Sequence, residues 1–145
     1  MRKIILTLLI VVLATSTLCL FACDKQKQAK GVNPVVIKVS ANDYQITEET
    51  TLYDYMLMLK NDNKLNFTAI NSDNGMFITS VNGTENGLGY NPCWMIYTDD
   101  DNFKDASGWT GPITVNGKSY AVASVGASSL YVTDGCEYVL YYASF

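Results

Sequence analysis

The order of elements in this chain predicts an α+β domain in which a β-sheet packs against one helix. Residues 35–39 are β-branched and indicate a first strand, and a single helical periodicity follows in residues 51–59. From residue 66 onward, strand-like stretches alternate with turns. Two strands, one helix and then several strands are the order expected when a sheet wraps a single helix.

The first 22 residues have the layout of an export signal. Two basic residues precede an apolar run over residues 4–13 that is short for a membrane span, and Ala22 stands directly before Cys23. We therefore predict a lipoprotein signal peptide over residues 1–22 and lipidation of Cys23. Acyl chains on Cys23 would anchor the protein to the extracytoplasmic face of a cell membrane. An ordinary cleaved signal or a transmembrane anchor over residues 4–22 is the alternative.

Residues 23–33 are polar and predict a flexible tether between the lipid and the folded part. The lysines of this segment could also lie against anionic lipid headgroups. Residues 34–145 are then enough for one domain and not for two.

The domain begins with two predicted strands. The first covers residues 35–39 and the second covers residues 44–47, with turn-forming residues at 41–43 between them.

The predicted helix begins after Thr51. Thr51 and Asp54 have the spacing of a capping box, and residues 61–63 end the helix. Apolar residues spaced at i, i+3, i+4 and i+7 form its buried face, and they are Leu52, Tyr55, Met56 and Leu59.

Strands follow the helix. Residues 66–71 and 76–81 are predicted strands joined by a turn at residues 71–75, and a tight turn at residues 82–83 follows them. Residues 93–98 and 137–142 are the most hydrophobic stretches of the domain, so we expect them to form the central strands.

Composition excludes several classes of function. Loss of the signal removes Arg2 and Lys3, so eight lysines remain against fourteen acidic residues, a net charge of −6. Such a surface repels phosphate backbones, which argues against a nucleic-acid partner. The chain has no histidine, and no nucleophile and base can be paired in it, so we do not expect an enzyme.

Two cysteines remain in the predicted domain once Cys19 is removed with the signal and Cys23 is lipidated. An extracytoplasmic compartment allows Cys93 and Cys136 to oxidise, and we predict a disulfide between them. Two separately buried thiols are the alternative.

Several segments together resemble the transcobalamin-like C-terminal domain family. They are residues 51–56, Phe67, residues 74–83, residues 93–97 and residues 131–135. This family is a soluble-ligand-binding variant of the β-grasp fold, found in animal cobalamin carriers and in bacterial lipoproteins. The resemblance covers residues 34–145 and implies a β-grasp-like mixed sheet packed on a single helix. It also implies that Cys93 and Cys136 open neighbouring strands.

In the animal carriers this domain closes as a lid on a corrinoid that a larger helical domain holds. The resemblance therefore implies cobalamin or another corrinoid as a bound ligand, and a second binding protein or a membrane importer as partner. It implies ligand contacts at the Trp of the family's motif and the segment just after it, and at an aromatic residue near the end of the final strand. In this sequence the first set is Trp94, Ile96, Tyr97, Thr98 and Asp99, and the aromatic residue is Tyr142.

Residues 99–119 replace the short glycine-rich loop of the family with a longer insertion. Four aspartates within residues 99–105 offer hard oxygen ligands of the kind that suit Ca²⁺, but the EF-hand order is absent, which favours a solvated acidic loop and no metal. Trp109 lies among turn residues, where it either folds back over the sheet edge or is offered to a ligand.

Together these features predict a membrane-anchored surface lipoprotein that binds a small soluble ligand as an accessory to uptake. The alternative is a non-enzymatic surface module that binds protein or glycan. Aromatic residues of the central strands would form a platform on one face, with the core on the other. We expect Tyr97, Thr98, Asp99 and Tyr142 to cluster in one exposed concave patch, with Trp109 at its rim.

Overall fold

The computed structural model describes residues 27–73 and 75–145. The predicted signal peptide, Cys23 and the start of the tether lie outside the described residues. Within the described ranges, no helix is both long and apolar enough to cross a membrane.

The described residues form an α+β domain with one α-helix, as predicted. The helix α1 covers Leu52–Asn61, and a short 3₁₀ turn covers Leu88–Tyr90. The strands are β1 (Lys27–Gln28), β2 (Val35–Lys38), β3 (Phe67–Ser72), β4 (Gly75–Val81), β5 (Thr84–Glu85), β6 (Cys93–Thr98), β7 (Ile113–Val115), β8 (Lys118–Val122) and β9 (Glu137–Ser144).

The helix begins and ends where the sequence predicts. The Thr51 hydroxyl accepts a hydrogen bond from the Asp54 amide, and the Asp54 carboxylate accepts one from the Thr51 amide. This reciprocal cap satisfies two amides that the first helical turn leaves without helical partners. Leu52, Tyr55 and Met56 are buried on the face that the periodicity predicts.

The prediction of a second strand over residues 44–47 is wrong. Residues 44–47 form a bend and an irregular segment instead. The Tyr44 ring packs edge-on against Tyr55 with centroids 5.3 Å apart, and its hydroxyl donates to Asp62 at 2.6 Å. The side chain of Tyr44 therefore fastens this segment to the helix, and its backbone joins no strand.

The strands form two antiparallel sheets, where the resemblance implied one mixed sheet. The larger sheet has the order β1–β9–β6–β8–β7, with β2 also paired to β9, and the smaller sheet has the order β3–β4–β5. The strands β6 and β9 are central, as predicted from their hydrophobicity. The turn after β4 is also confirmed, since Asn82 and Gly83 both have positive φ, the conformation of a tight hairpin turn.

Both faces of the central strands are covered by core. On one face Trp94 and Leu140 pack in the core that contains the helix. On the other face Tyr97 and Tyr141 pack in a second core beneath the hairpin formed by β7 and β8. The predicted alternation of faces is correct, but the predicted exposed platform is wrong, because the hairpin covers it.

The predicted disulfide is also wrong. Cys93 and Cys136 are both free thiols. Each stands at the start of a central strand, but β6 and β9 are antiparallel, and Cys93 pairs with Ala143 at the far end of β9. Cys136 lies seven residues from Ala143 along that strand, roughly 23 Å at 3.3 Å per residue. A bridge needs Cα atoms within about 7 Å.

Candidate functional site

Four of the predicted ligand contacts are buried. Trp94 is 5% exposed, and Tyr97, Thr98 and Tyr142 do not form a patch. Tyr97 and Thr98 have no exposed surface, and Tyr142 is 7% exposed. Tyr97 belongs to the core beneath the β7–β8 hairpin, whereas Tyr142 belongs to the helix-side core. The Tyr142 hydroxyl donates to the Glu85 carbonyl at 2.6 Å. The prediction of one exposed cluster around Tyr97 and Tyr142 is therefore wrong.

Asp99 lies at the start of the insertion and makes structural contacts. Its carboxylate pairs with Lys118 at 2.5 Å and accepts the Glu137 amide at 2.7 Å. Burial disfavours the charged form, but Lys118 and the amide outweigh it, so the pKa of Asp99 lies below its ordinary value. Asp99 therefore links the first residue of β8 to the first residue of β9, at the end of β6 opposite Trp94.

Asp100 is a buried carboxylate, contrary to the prediction of a solvated acidic loop. It is 3% exposed and accepts hydrogen bonds from the Thr133 hydroxyl at 2.6 Å, the Tyr138 hydroxyl at 3.0 Å and the Asn102 amide at 3.0 Å. Burial alone would raise its pKa, yet these donors hold the pKa below the ordinary value.

The other two aspartates of the insertion point elsewhere. Asp101 pairs with Lys104 at 2.5 Å, and Asp105 binds the amide and hydroxyl of Ser107. Within residues 27–73 and 75–145, no three acidic or cysteine side chains are placed to hold a metal ion together.

Three other predicted contacts come together at one groove. Trp94, Ile96 and Trp109 line a cavity of about 500 Å³ between β4 and β6. Its walls also include β4 residues 76–78, the loop at residues 122–127 and the ring of Phe145. None of the side chains in this lining is charged.

The rim of this groove carries exposed aromatic surface. Trp109 is 62% exposed and Phe145 is 64% exposed. Their rings are stacked, with centroids 6.3 Å apart and planes 12° from parallel. Asn91 holds Phe145 in place, because its side chain bonds to both the amide and the carbonyl of Phe145. Trp109 thus lies at the rim of this groove, and not at the rim of the predicted patch around Tyr97 and Tyr142, which does not form.

Two polar side chains join the segments that line the groove. The Asn86 carboxamide donates to the Ile78 carbonyl and accepts from the Trp94 amide, both at 2.9 Å. The Ser128 hydroxyl accepts from the Met76 amide at 3.0 Å. The sequence offered no motif for Asn86 or Ser128, because each acts only where two distant segments meet.

The groove is more apolar than two other cavities formed by the described residues. A cavity of about 440 Å³ lies beside Lys60, Lys64 and Asn66, and one of about 260 Å³ lies beside Thr68, Glu85 and other mainly polar residues. Buried apolar surface provides most of the binding free energy in ligand sites. The groove is therefore the best candidate site.

Compared with protein-family models, with curated proteins and with solved structures, the chain matches none of them. The resemblance to the transcobalamin-like domain thus remains a prediction.

Proposed function

We propose that this protein is a non-enzymatic binding protein, anchored through Cys23 to the extracytoplasmic face of a cell membrane, that holds the apolar part of a soluble ligand in the groove. The observation that carries the proposal is the cavity lined by Trp94, Ile96 and Trp109. Its volume of about 500 Å³ lies within the range of ligand pockets, which are mostly apolar and concave.

The chemistry of the lining supports binding without catalysis. The groove contains one thiol, that of Cys93, and burial raises its pKa. A thiol is a poor nucleophile until it loses its proton. No histidine, carboxylate or lysine side chain lines the groove to act as a base.

The exposed rings at the rim favour an aromatic or flat ligand group. The surfaces of Trp109 and Phe145 are solvent-exposed in the free domain, and burying such surface beneath a ligand is favourable. Stacking adds about 0.5–1.5 kcal/mol beyond burial of area. A corrinoid is the ligand that the family resemblance suggests, although Tyr97 and Tyr142 are not exposed to contact one.

The groove can be tested with a fluorescent apolar probe. A protein of residues 23–145 with Cys23→Ser carries no lipid into which the probe could partition. N-phenylnaphthylamine should bind and quench tryptophan emission by energy transfer, since the only two tryptophans of the chain line the groove. Val125 lies in the lining and Leu88 does not, and both are exposed.

We expect Val125→Asp to weaken probe binding at least tenfold, because it places a charge in an uncharged cavity. The matched variant Leu88→Asp should bind as the wild type does. Equal binding by both variants, or no binding by the wild type, contradicts the proposed function. Cobinamide titrated in the same way tests the corrinoid as ligand.

The anchor has its own test. Cys23 is the residue that would carry the thioether, so Cys23→Ser in the full chain should move the protein out of the membrane fraction or leave it with an uncleaved signal. A serine variant that stays membrane-bound at the mature mass would show that lipid on Cys23 is not the anchor.

A further inference from the structure

The beginning of the described chain is fixed to one end of the large sheet. Residues 27–28 belong to the segment that the sequence predicts as a flexible tether, but their backbone forms β1 and pairs with Ala143 and Ser144, the last two residues of β9. Just after β1, the Ala29 amide donates to the Tyr142 carbonyl at 2.9 Å. Traced from residue 28 back to residue 27, the backbone therefore runs in the direction of Phe145.

The length of chain before β1 limits where a lipid on Cys23 can lie. Cys23 stands four residues before residue 27, and an extended chain spans at most about 3.6 Å per residue, which limits the reach to about 14 Å. Glu137 and Ser144, the two ends of β9, are seven residues apart, roughly 23 Å in a strand. Acyl chains on Cys23 would therefore hold the Ser144 end of the domain, and not the Glu137 end, beside the membrane.

Exposed apolar side chains are concentrated at this same end. The Asn91 carboxamide bonds to the amide and the carbonyl of Phe145, which places the 3₁₀ turn before Asn91 close to Phe145. Leu88 and Tyr90 of that turn are exposed, and Leu88 is exposed over its whole surface. Trp109, stacked on Phe145, is exposed as well. These four are half of the large apolar side chains that are exposed among the described residues, and such clustering marks an interaction surface.

We propose that this end of the domain, formed by Leu88, Tyr90, Trp109 and Phe145, binds the surface of the lipid bilayer that holds the Cys23 anchor. The proposal rests on the anchor of the proposed function and adds the orientation of the domain on the membrane. Tryptophan and tyrosine rings suit a bilayer interface, because each has an apolar body and a polar N–H or O–H. Leucine and phenylalanine side chains enter the boundary between headgroups and acyl chains.

Charge favours the same orientation. Residues 23–30 contain three lysines and one aspartate, and lysines close to a bilayer are attracted to anionic headgroups. The lining between Trp109 and Phe145 has no charged side chain, so contact of this rim with lipid removes no ionic group of the lining from water. Because Trp109 and Phe145 belong to the rim of the groove as well, a ligand in the groove and the bilayer compete for these two rings.

The test uses residues 23–145 with Cys23→Ser and vesicles of phosphatidylcholine and phosphatidylglycerol with brominated acyl chains. Bromine quenches tryptophan emission only at short range, so quenching reports a ring that has entered the bilayer. We expect the vesicles to quench this protein but not its Trp109→Phe variant, because the remaining tryptophan, Trp94, is buried.

A matched pair of substitutions tests the docked surface. Leu88→Asp should raise the lipid concentration needed for half-maximal quenching at least tenfold, because it places a charge where an apolar side chain enters the bilayer. Tyr131→Asp is the control, since Tyr131 is also exposed but lies two residues before Thr133, whose amide donates to the Tyr138 hydroxyl near the other end of β9. Tyr131→Asp should change that concentration less than twofold.

Equal vesicle binding by Leu88→Asp and Tyr131→Asp, quenching that persists in Trp109→Phe, or no quenching of the parent protein would overturn the proposed docking. None of these results affects the proposed function, which is tested without vesicles by N-phenylnaphthylamine. Leu88 does not line the groove, so normal probe binding by Leu88→Asp also shows that this variant is folded.

Discussion

The two halves of strand β6 have opposite roles. Its C-terminal half, Tyr97 and Thr98, pairs with strands on both sides and has no exposed surface. Its N-terminal part, residues 93–96, pairs with β9, and Trp94 and Ile96 of this part also line the groove. One six-residue strand therefore contributes both to the core beneath the hairpin and to a wall of the candidate site.

The insertion at residues 99–119 causes this difference. Its strand β7 places Ile113 and Val115 over the face on which Tyr97 lies. The family resemblance pointed to the residues that follow Trp94 as the ligand surface, and in this chain the insertion covers one of them with its own core. The surface that stays open is the groove beside the other end of the strand, where Trp109 and Phe145 are exposed.

The largest expected loss of stability comes from a substitution in the buried C-terminal part of β6. Tyr97→Ala removes a fully buried ring and should lower the free energy of unfolding by about 3–5 kcal/mol. Tyr131→Ala, at a ring that is 49% exposed, should lower it by less than about 1 kcal/mol. Urea denaturation measures both. Similar losses for the two variants would mean that Tyr97 is not part of a core.

The second-largest loss of stability is expected at Asp100, the buried carboxylate that follows Thr98 by two residues. Asp100→Asn puts an amide where three donors converge, so at least one of them loses its acceptor, and we expect a loss of about 2–3 kcal/mol. Asp101→Asn is the matched control, since the Asp101 side chain is 91% exposed, and it should change stability by less than about 0.5 kcal/mol.

The same pair of variants gives a pH dependence. The pKa of Asp100 is below 3.8 in the native state, so the native state favours the carboxylate. Its stabilisation is present above the unfolded pKa and is lost as the pH falls through the lower native pKa. The stability difference between wild type and Asp100→Asn should therefore shrink below pH 3.8. A difference that stays constant down to pH 2 contradicts this assignment.

A smaller effect is expected at the ion cluster beside Thr98. Lys118 bonds to Asp99 at 2.5 Å and to Glu137 at 2.8 Å, which lowers the pKa of Glu137. Because the Lys118 side chain is 47% exposed, Lys118→Met should cost about 0.5–1 kcal/mol, and added salt should reduce that difference. A loss of several kcal/mol that ignores salt would require another explanation.

The smallest effect on stability is expected at the open half. Trp109→Ala removes a ring that is 62% exposed and should change the free energy of unfolding by less than about 1 kcal/mol, while weakening probe binding about fivefold or more. This split between binding and stability is the reverse of that expected for Tyr97→Ala. A Trp109 variant that unfolds easily but binds normally would reverse the comparison between the two halves.

Local patterns determined much of the fold. The spacing of apolar residues and the cap at Thr51 placed the helix, and period-two alternation assigned Trp94 and Tyr97 to opposite faces of β6. These features depend on residues a few positions apart, so the sequence contains the whole signal. The irregular segment at residues 44–47 was missed because Tyr44 binds Asp62, which is distant in sequence.

The binding surface and the state of the cysteines were decided by tertiary structure. Cys93 and Cys136 are far apart because their strands run antiparallel, a direction that no local pattern records. Trp94, Ile96 and Trp109 meet at one groove because Asn86 and the loop after β8 hold two sheets side by side. Aromatic residues in the sequence indicate that contact surface exists, but whether a ring is buried or exposed depends on which distant segment packs over it.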